Sequence, residues 1–260
     1  MTDNTDKLAN LLTQITPGET SPGFHHTLME KVRQAESMAT LGTTLGEVYL
    51  ERKGNPAPIL AQTGDLIFAG DSILTRRTGK TYVFFKDGTQ LWLNHETTLV
   101  IGNHFRQHQL TLGELLAFVS RAKTRDDRFI LKTPAAIVEV LGTEFDLAIT
   151  PDHTSLLTVI TGKVRFQNEK GQISLKRNTQ SQATPNQKPT KPCRVNSLEK
   201  IGWARELAYL AAKENPASVP ETLISVKAEN KGIPLIRGLF ILILSGILGY
   251  LLGYLIGTWQ

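Results

Sequence analysis

The chain has 260 residues, carries Lys+Arg 29 against Asp+Glu 24 for a formal net charge of +5, and is 40% hydrophobic and 20% charged. Those values permit one good-sized domain with appendages and are too mildly and diffusely basic to mark a nucleic-acid reader. A single cysteine, Cys193, excludes an internal disulfide, a Cys-rich zinc site and a redox pair.

The first ten residues are polar, with Asp3, Asp6 and Lys7 and no apolar run behind a basic start, which is not the pattern of a secretory signal. Residues 5–40 read as two short helices. Leu8, Leu11, Leu12 and Ile15 form one apolar stripe ended by Pro17-Gly18, and Phe24, Leu28, Val32 and Ala35 form the next. His25 and His26 are neighbours and so point about 100° apart on a helix, with no third ligand nearby, so they are read as surface residues rather than metal ligands. This helical segment is assigned residues 1–42.

From Thr43 the apolar period becomes two. TYVFFK, Asp87-Gly88 and TQLWLN read as a hairpin closed by a two-residue turn, which would set Phe84 opposite Leu91, Tyr82 opposite Leu93 and Val83 opposite Trp92. Apolar residues on both of its faces predict cover on both sides. QLTLGELLAFVS reads as two strands bent apart at Gly113, and SLLTVITGKVRFQ as two joined at Thr161-Gly162. Phe145, Leu147, Ile149, Val159, Val164, Phe166, Ile173 and Leu175 are the expected core of the later strands. Short strands with glycine turns predict a β-domain over 43–184, mainly β, as an antiparallel sandwich or roll. Residues 176–194 hold five basic residues, no acid and three prolines and read as a solvated linker; Leu198, Ile201, Trp203, Leu207 and Leu210 then line one side of a helix. Linker and amphipathic helix together are assigned 185–232.

From Gly238 to Trp259 the chain reads GLFILILSGILGYLLGYLIGTW without a charge, which as a helix of about 33 Å would cross a hydrocarbon core of about 30 Å. The expectation is a C-terminal transmembrane helix in an anchor of 233–260. Lys227, Lys231 and Arg237 before it predict a bulk on the cytoplasmic side of a bacterial inner membrane. Ser245, Gly249, Gly253 and Gly257 recur every four residues, a face suited to helix–helix contact in a homodimer.

GDLIFAGDSILT, KDGTQLWLN, LTLGELLAFV, KTPAAIVEVLGTEFDLAI and LLTVITGKVRF stand in the order of the elements of the FecR-type sensor and regulator family, and residues 44–184 resemble it. The matching positions are Thr133 and Pro134, then Gly142, Thr143 and Phe145, then Gly162. The resemblance implies a β-fold, signal transduction of an anti-sigma kind, a sigma factor or other regulatory protein as partner, and no catalysis or cofactor. Two departures stand out. Family members usually carry an arginine where this chain has Leu141, and residues 36–56 contain no membrane span ahead of the β-domain. An esterase reading of FAGDSILT with Ser72 as nucleophile and Gly102-Asn103 at an oxyanion hole lacks a base, because no histidine follows an aspartate by three residues. A scaffold using the same β-fold for assembly is the alternative to a regulator.

Overall fold

A computed structural model describes Val32, residues 36–124 and residues 126–225. Alternating β-branched, aromatic and polar residues make this region mainly strand. Its strands join in one 17-stranded hydrogen-bonded sheet. The sheet is folded over into two limbs, and the hinge is β9 (Gln107–Phe118).

In the front limb, β4 (Leu66–Ile67), β1 (Ala39–Leu41), β6 (Thr81–Phe85) and β7 (Gln90–Leu93) lead to the C-terminal half of β9. Beyond it lie β12 (Glu144–Ile149), β13 (Ser155–Thr161), β16 (Thr179–Ala183) and β17 (Cys193–Arg194). The back limb runs β3 (Asn55–Leu60), β2 (Val48–Arg52), β5 (Ser72–Thr75), β8 (Thr98–His104) and the N-terminal half of β9. It continues through β10 (Phe129–Lys132), β11 (Ile137–Val140), β14 (Lys163–Asn168) and β15 (Gly171–Lys176). The pairing of β10 with β9 is parallel, and the rest are antiparallel.

One apolar core fills the space between the limbs. Phe85, Leu93, Leu115, Phe145 and Leu147 enter it from the front, and Leu50, Ile73, Leu99, Phe129 and Phe166 from the back. Each such side chain contributes roughly 1.5–3 kcal/mol by leaving water. Of the residues expected to form the core of the later strands, Ile173 is partly buried against the cluster and the others lie in it.

Glycines mark where the chain passes between limbs. Gly113, at φ +86, lets β9 bend while its strand continues, and a Cβ there would stand 2.3 Å from Thr97 Oγ1. The two strands expected on either side of Gly113 are therefore one strand shared by both limbs. The segment at Thr161-Gly162 is likewise a corner from β13 to β14, which pair with other strands rather than with each other.

The expected fold class is corrected in three respects. The sheet is continuous through β9 rather than two separate layers, and it contains a parallel pair. Among the described residues no helix is long and apolar enough to cross a membrane, so the expected transmembrane helix has no counterpart there. Residues 233–260, with Ser245, Gly249, Gly253 and Gly257, and the N-terminal helical stripes apart from Val32 lie outside the described residues.

The hairpin register is corrected as well. Thr81 stands opposite Leu93, Tyr82 opposite Trp92, Val83 opposite Leu91 and Phe84 opposite Gln90, one residue from the expected pairing. Gly88 N donates to Phe85 O at 3.0 Å and Phe85 N to Thr89 O at 2.9 Å, so Lys86, Asp87 and Gly88 form a three-residue loop with Gly88 at φ +85. The Asp87 carboxylate fixes this loop by accepting from Thr89 N at 2.9 Å.

The stretch expected to be a solvated linker is tied to the fold. β17 pairs with β16, Thr190 N donates to Gln182 O at 2.9 Å, and Ser181 Oγ donates to Thr190 O at 2.8 Å. After it come the helices α1 (Ser197–Lys200), α2 (Arg205–Glu214) and α3 (Glu221–Ser225), with a turn of 3-10 helix at Gly202–Ala204 between the first two. Ile201, Ala204, Leu207, Ala208, Ala211, Val219 and Leu223 are buried. These residues cover the outer face of the front limb, where Tyr82, Trp92, Leu116 and Phe118 are buried but lie outside the main core.

Candidate functional site

The motif residues occupy turns and corners. Thr133 and Pro134 begin the tight connection from β10 to β11: Ala136 N donates to Thr133 Oγ1 at 2.9 Å, Thr133 N donates to Ala136 O at 2.8 Å, and Ser155 Oγ donates to Thr133 Oγ1 at 2.7 Å. Gly142 and Thr143 carry the chain from the back limb to the front. A Cβ on Gly142 would come 2.8 Å from Arg121 Cα, and one on Gly162 would come 2.6 Å from Thr143 Cγ2. Gly142, Thr143 and Gly162 thus meet at one corner, and Phe145 points from it into the core. Leu141, where the family has arginine, is exposed. Glu139 is held on the outer face of the back limb by Arg128 at 2.9 Å, Arg165 at 3.6 Å and Gln167 Nε2 at 2.6 Å.

Two buried polar clusters escaped the reading of the sequence. The first is centred on Arg106, which is 2% exposed. Its Nη1 donates to Asp87 Oδ2 at 2.5 Å and its Nη2 to Ser120 O at 3.0 Å, so the guanidinium ties the β6–β7 turn to the end of β9. Beside it His108 lies between the rings of Phe85 and Phe129, at 4.6 and 5.5 Å between centroids, with Nε2 2.9 Å from Phe105 O. Burial lowers its pKa from 6.5 to about 4, against an opposing pull from the Phe105 carbonyl and Asp87. This imidazole is neutral at physiological pH.

The second cluster lies beneath the helices. Asp146 sits in β12 opposite Leu116, and Glu114 in β9 opposite Ala148, which makes the two carboxylates diagonal neighbours on the outer face of the front limb. Asp146 is 4% exposed, and its Oδ1 accepts from Trp203 Nε1 at 3.5 Å, while Glu114 Oε2 accepts from Asn94 Nδ2 at 2.6 Å. Desolvation raises both pKa values, Asp146 well above the carboxylate range, and the Glu114 charge pushes Asp146 up further. Around the pair the helices are pinned by side chains. Lys80 Nζ reaches Trp203 O and Glu206 Oε2, both at 3.4 Å; Thr43 Oγ1 donates to Glu214 Oε2 at 2.6 Å; Thr222 Oγ1 donates to Glu144 Oε2 at 2.7 Å. EFDLAI places Asp146 on the side of its strand opposite Phe145 and Leu147, and such a residue reads as solvent-facing until the cover over that side is known.

The back limb exposes an apolar row. Leu60, Tyr49, Leu74 and Thr98 stand in register across β3, β2, β5 and β8, and Thr98 faces Leu112 on β9. Leu60 and Leu112 are exposed, and Arg76 lies over the Tyr49 ring at 5.5 Å. A groove of about 630 Å³ is lined here by Tyr49, Leu74, Arg76 and Leu112 among others. Ser72 lies in β5 between Glu51 and Val100, while neighbouring Asp71 binds Arg52 at 2.6 Å. Gly102 and Asn103 lie in β8. Among the described residues no group of three or more His, Cys, Asp or Glu side chains could hold a metal ion.

No curated protein matches the chain. Two crystal structures of a candidate anti-sigma factor from Parabacteroides distasonis, at 2.50 and 1.65 Å, are similar to it, each with 24% identity and a TM-score of 0.43. The similarity covers 54% of this chain and 63% and 64% of those, so the chain spans slightly less than two thirds of their length. The family model described as FecR protein matches residues 71–165, a stretch that runs from the buried Asp71 through the hinge strand and both glycine corners to β14. Residues 71–165 are thus similar to the FecR family, and the strands from β5 to the start of β14 are the part of the fold that this similarity covers.

Proposed function

We propose that the protein is a non-enzymatic regulator of the anti-sigma kind, in which the FecR-like β-domain binds a partner protein and the segment ahead of β1 engages a sigma factor. The observation that carries this reading is the FecR match over 71–165, the stretch that contains the hinge strand and the motif corners. The motif positions Thr133, Pro134, Gly142, Thr143, Phe145 and Gly162 serve the fold on this reading, so recognition falls to outward-facing side chains. The domain division into 1–42, 43–184 and 185–232 belongs to the same proposal. The inner-membrane location rested on residues 233–260, which lie outside the described residues, and forms no part of it.

A scaffold that self-associates is the second reading, favoured by the apolar row of Leu60, Tyr49, Leu74 and Leu112, of which Leu60 and Leu112 are exposed and the other two half-buried. Affinity purification of the tagged full chain, beside a version lacking residues 1–36, separates the two. A regulator recovers a sigma factor that the shortened version loses. Self-association with no sigma factor, removed by Leu60→Ser with Leu112→Ser, would replace it with the scaffold.

A further inference from the structure

We propose that residues 197–225 are a proton-gated strap, docked on the front limb while the Asp146–Glu114 pair retains a proton and released when both carboxylates are charged. The geometry comes first. Helices α1 to α3 cover an aromatic face on which Tyr82 and Trp92 stack at 4.7 Å and Phe118 meets Trp92 edge-on at 6.3 Å. In the middle of that cover, where an apolar side chain would suit the packing, the strand presents Asp146, with Glu114 diagonally beside it. Asp146 is buried and Glu114 half-buried, and a pair of like charges so placed is costly unless one member is protonated.

The neighbours do not neutralise the pair. On the strap, Trp203 offers one long N–H bond at 3.5 Å and Lys200 acts only at a distance. On the sheet, Asn94 is an uncharged donor to Glu114, and His95, whose Nδ1 lies 2.9 Å from Asn94 Oδ1, contributes through space. Lys80 is committed to Glu206 and the Trp203 carbonyl. The polar contacts that pin the strap lie on the outer face of the front limb, so it can lift without the core between the limbs being touched. Opening would expose an apolar helix-binding face and restore ordinary pKa values to both carboxylates.

The sign follows from the direction of the shifts. A carboxylate whose pKa is raised in the closed form stabilises that form least when ionised. Strap closure therefore takes up a proton, and its stability falls as pH rises from about 3.8 toward the raised value, by up to about tenfold per pH unit in the closing equilibrium. His108 has the opposite sense, since the whole fold gains stability from pH 4 to 6.5. The two effects are thus separable in one experiment. Amide hydrogen exchange on the full-length chain, corrected for intrinsic rates, is followed between pH 5 and 9 in α2 and in β14 and β15. Protection of α2 is expected to fall at least tenfold with rising pH while that of β14 and β15 does not fall. In Asp146→Asn, α2 should stay protected throughout, and in Glu114→Gln the loss should shrink. Constant α2 protection in the wild type, equal losses in α2 and β14, or undiminished pH dependence in Glu114→Gln would overturn the proposal, and the wild-type and Glu114→Gln results decide even if Asp146→Asn fails to fold.

Discussion

Arg106 is a charge placed where apolar side chains usually sit. With 2% exposure and a 2.5 Å contact to Asp87, it repays its desolvation only while that carboxylate and the Ser120 carbonyl are present. Asp87→Ala should therefore destabilise the fold by about 3–5 kcal/mol, since it strands a buried guanidinium and removes the side chain that shapes the β6–β7 loop. Arg106→Met should cost less. Urea denaturation of the two variants checks the order. His108 supplies a pH dependence of its own: its contribution is complete above pH 6.5 and lost as pH falls to about 4, in total about 3 kcal/mol. The urea midpoint of the wild type should drop between pH 7 and pH 4.5, and His108→Phe should flatten that drop whatever its own stability at pH 7.

Edge strands are guarded by their sequence. The front limb ends in β4 and β17, two residues each, too short to template another chain. The back limb ends in β15 on one side and β3 on the other, six residues each, and β3 has prolines at positions 56 and 58. Pro56 and Pro58 carry no N–H, and the pairing of β3 with β2 is irregular between Ile59 and Asn55, so this edge offers a broken row of donors to an added strand. Pro58→Val should raise self-association at high concentration without unfolding the domain, as sedimentation velocity would register. At this scale the sequence was readable where the signal was local. Alternation marked the strands, and Phe145, Leu147, Val159 and Phe166 were legible as core. The hairpin register was not, because the third residue of its loop is set by an aspartate whose partner, Arg106, lies 19 residues away in sequence. Gly113 and Gly162 looked like hairpin turns because a glycine at a corner between limbs and one at a hairpin tip give the same local pattern. The amphipathic side of α2 was evident, but the target it covers could be known only from the outer face of a sheet assembled from distant strands. Asp146 and Glu114 were hidden for that reason.

At the scale of the molecule, the β-fold carries an outer layer of helices from residues 197–225 on one side and a partly exposed apolar row on the other. The regulator reading assigns binding to such faces and packing to the motif glycines. Among the described residues β9 is the one strand that pairs with neighbours in both limbs, with β7 and β12 in front and β8 and β10 behind. Neither half can detach without losing a ladder that the other half needs. Thermal unfolding of the β-domain should accordingly be a single cooperative step by calorimetry, with the calorimetric and van't Hoff enthalpies equal. Assembly must be slow for the same reason, since partners far apart in the chain have to find a common strand before either sheet can close. A nascent chain therefore gains little from having emerged as far as Phe118. Until the strands after Phe129 arrive, half of the nucleus is missing, and its apolar faces depend on whatever holds them apart from their neighbours in the cell.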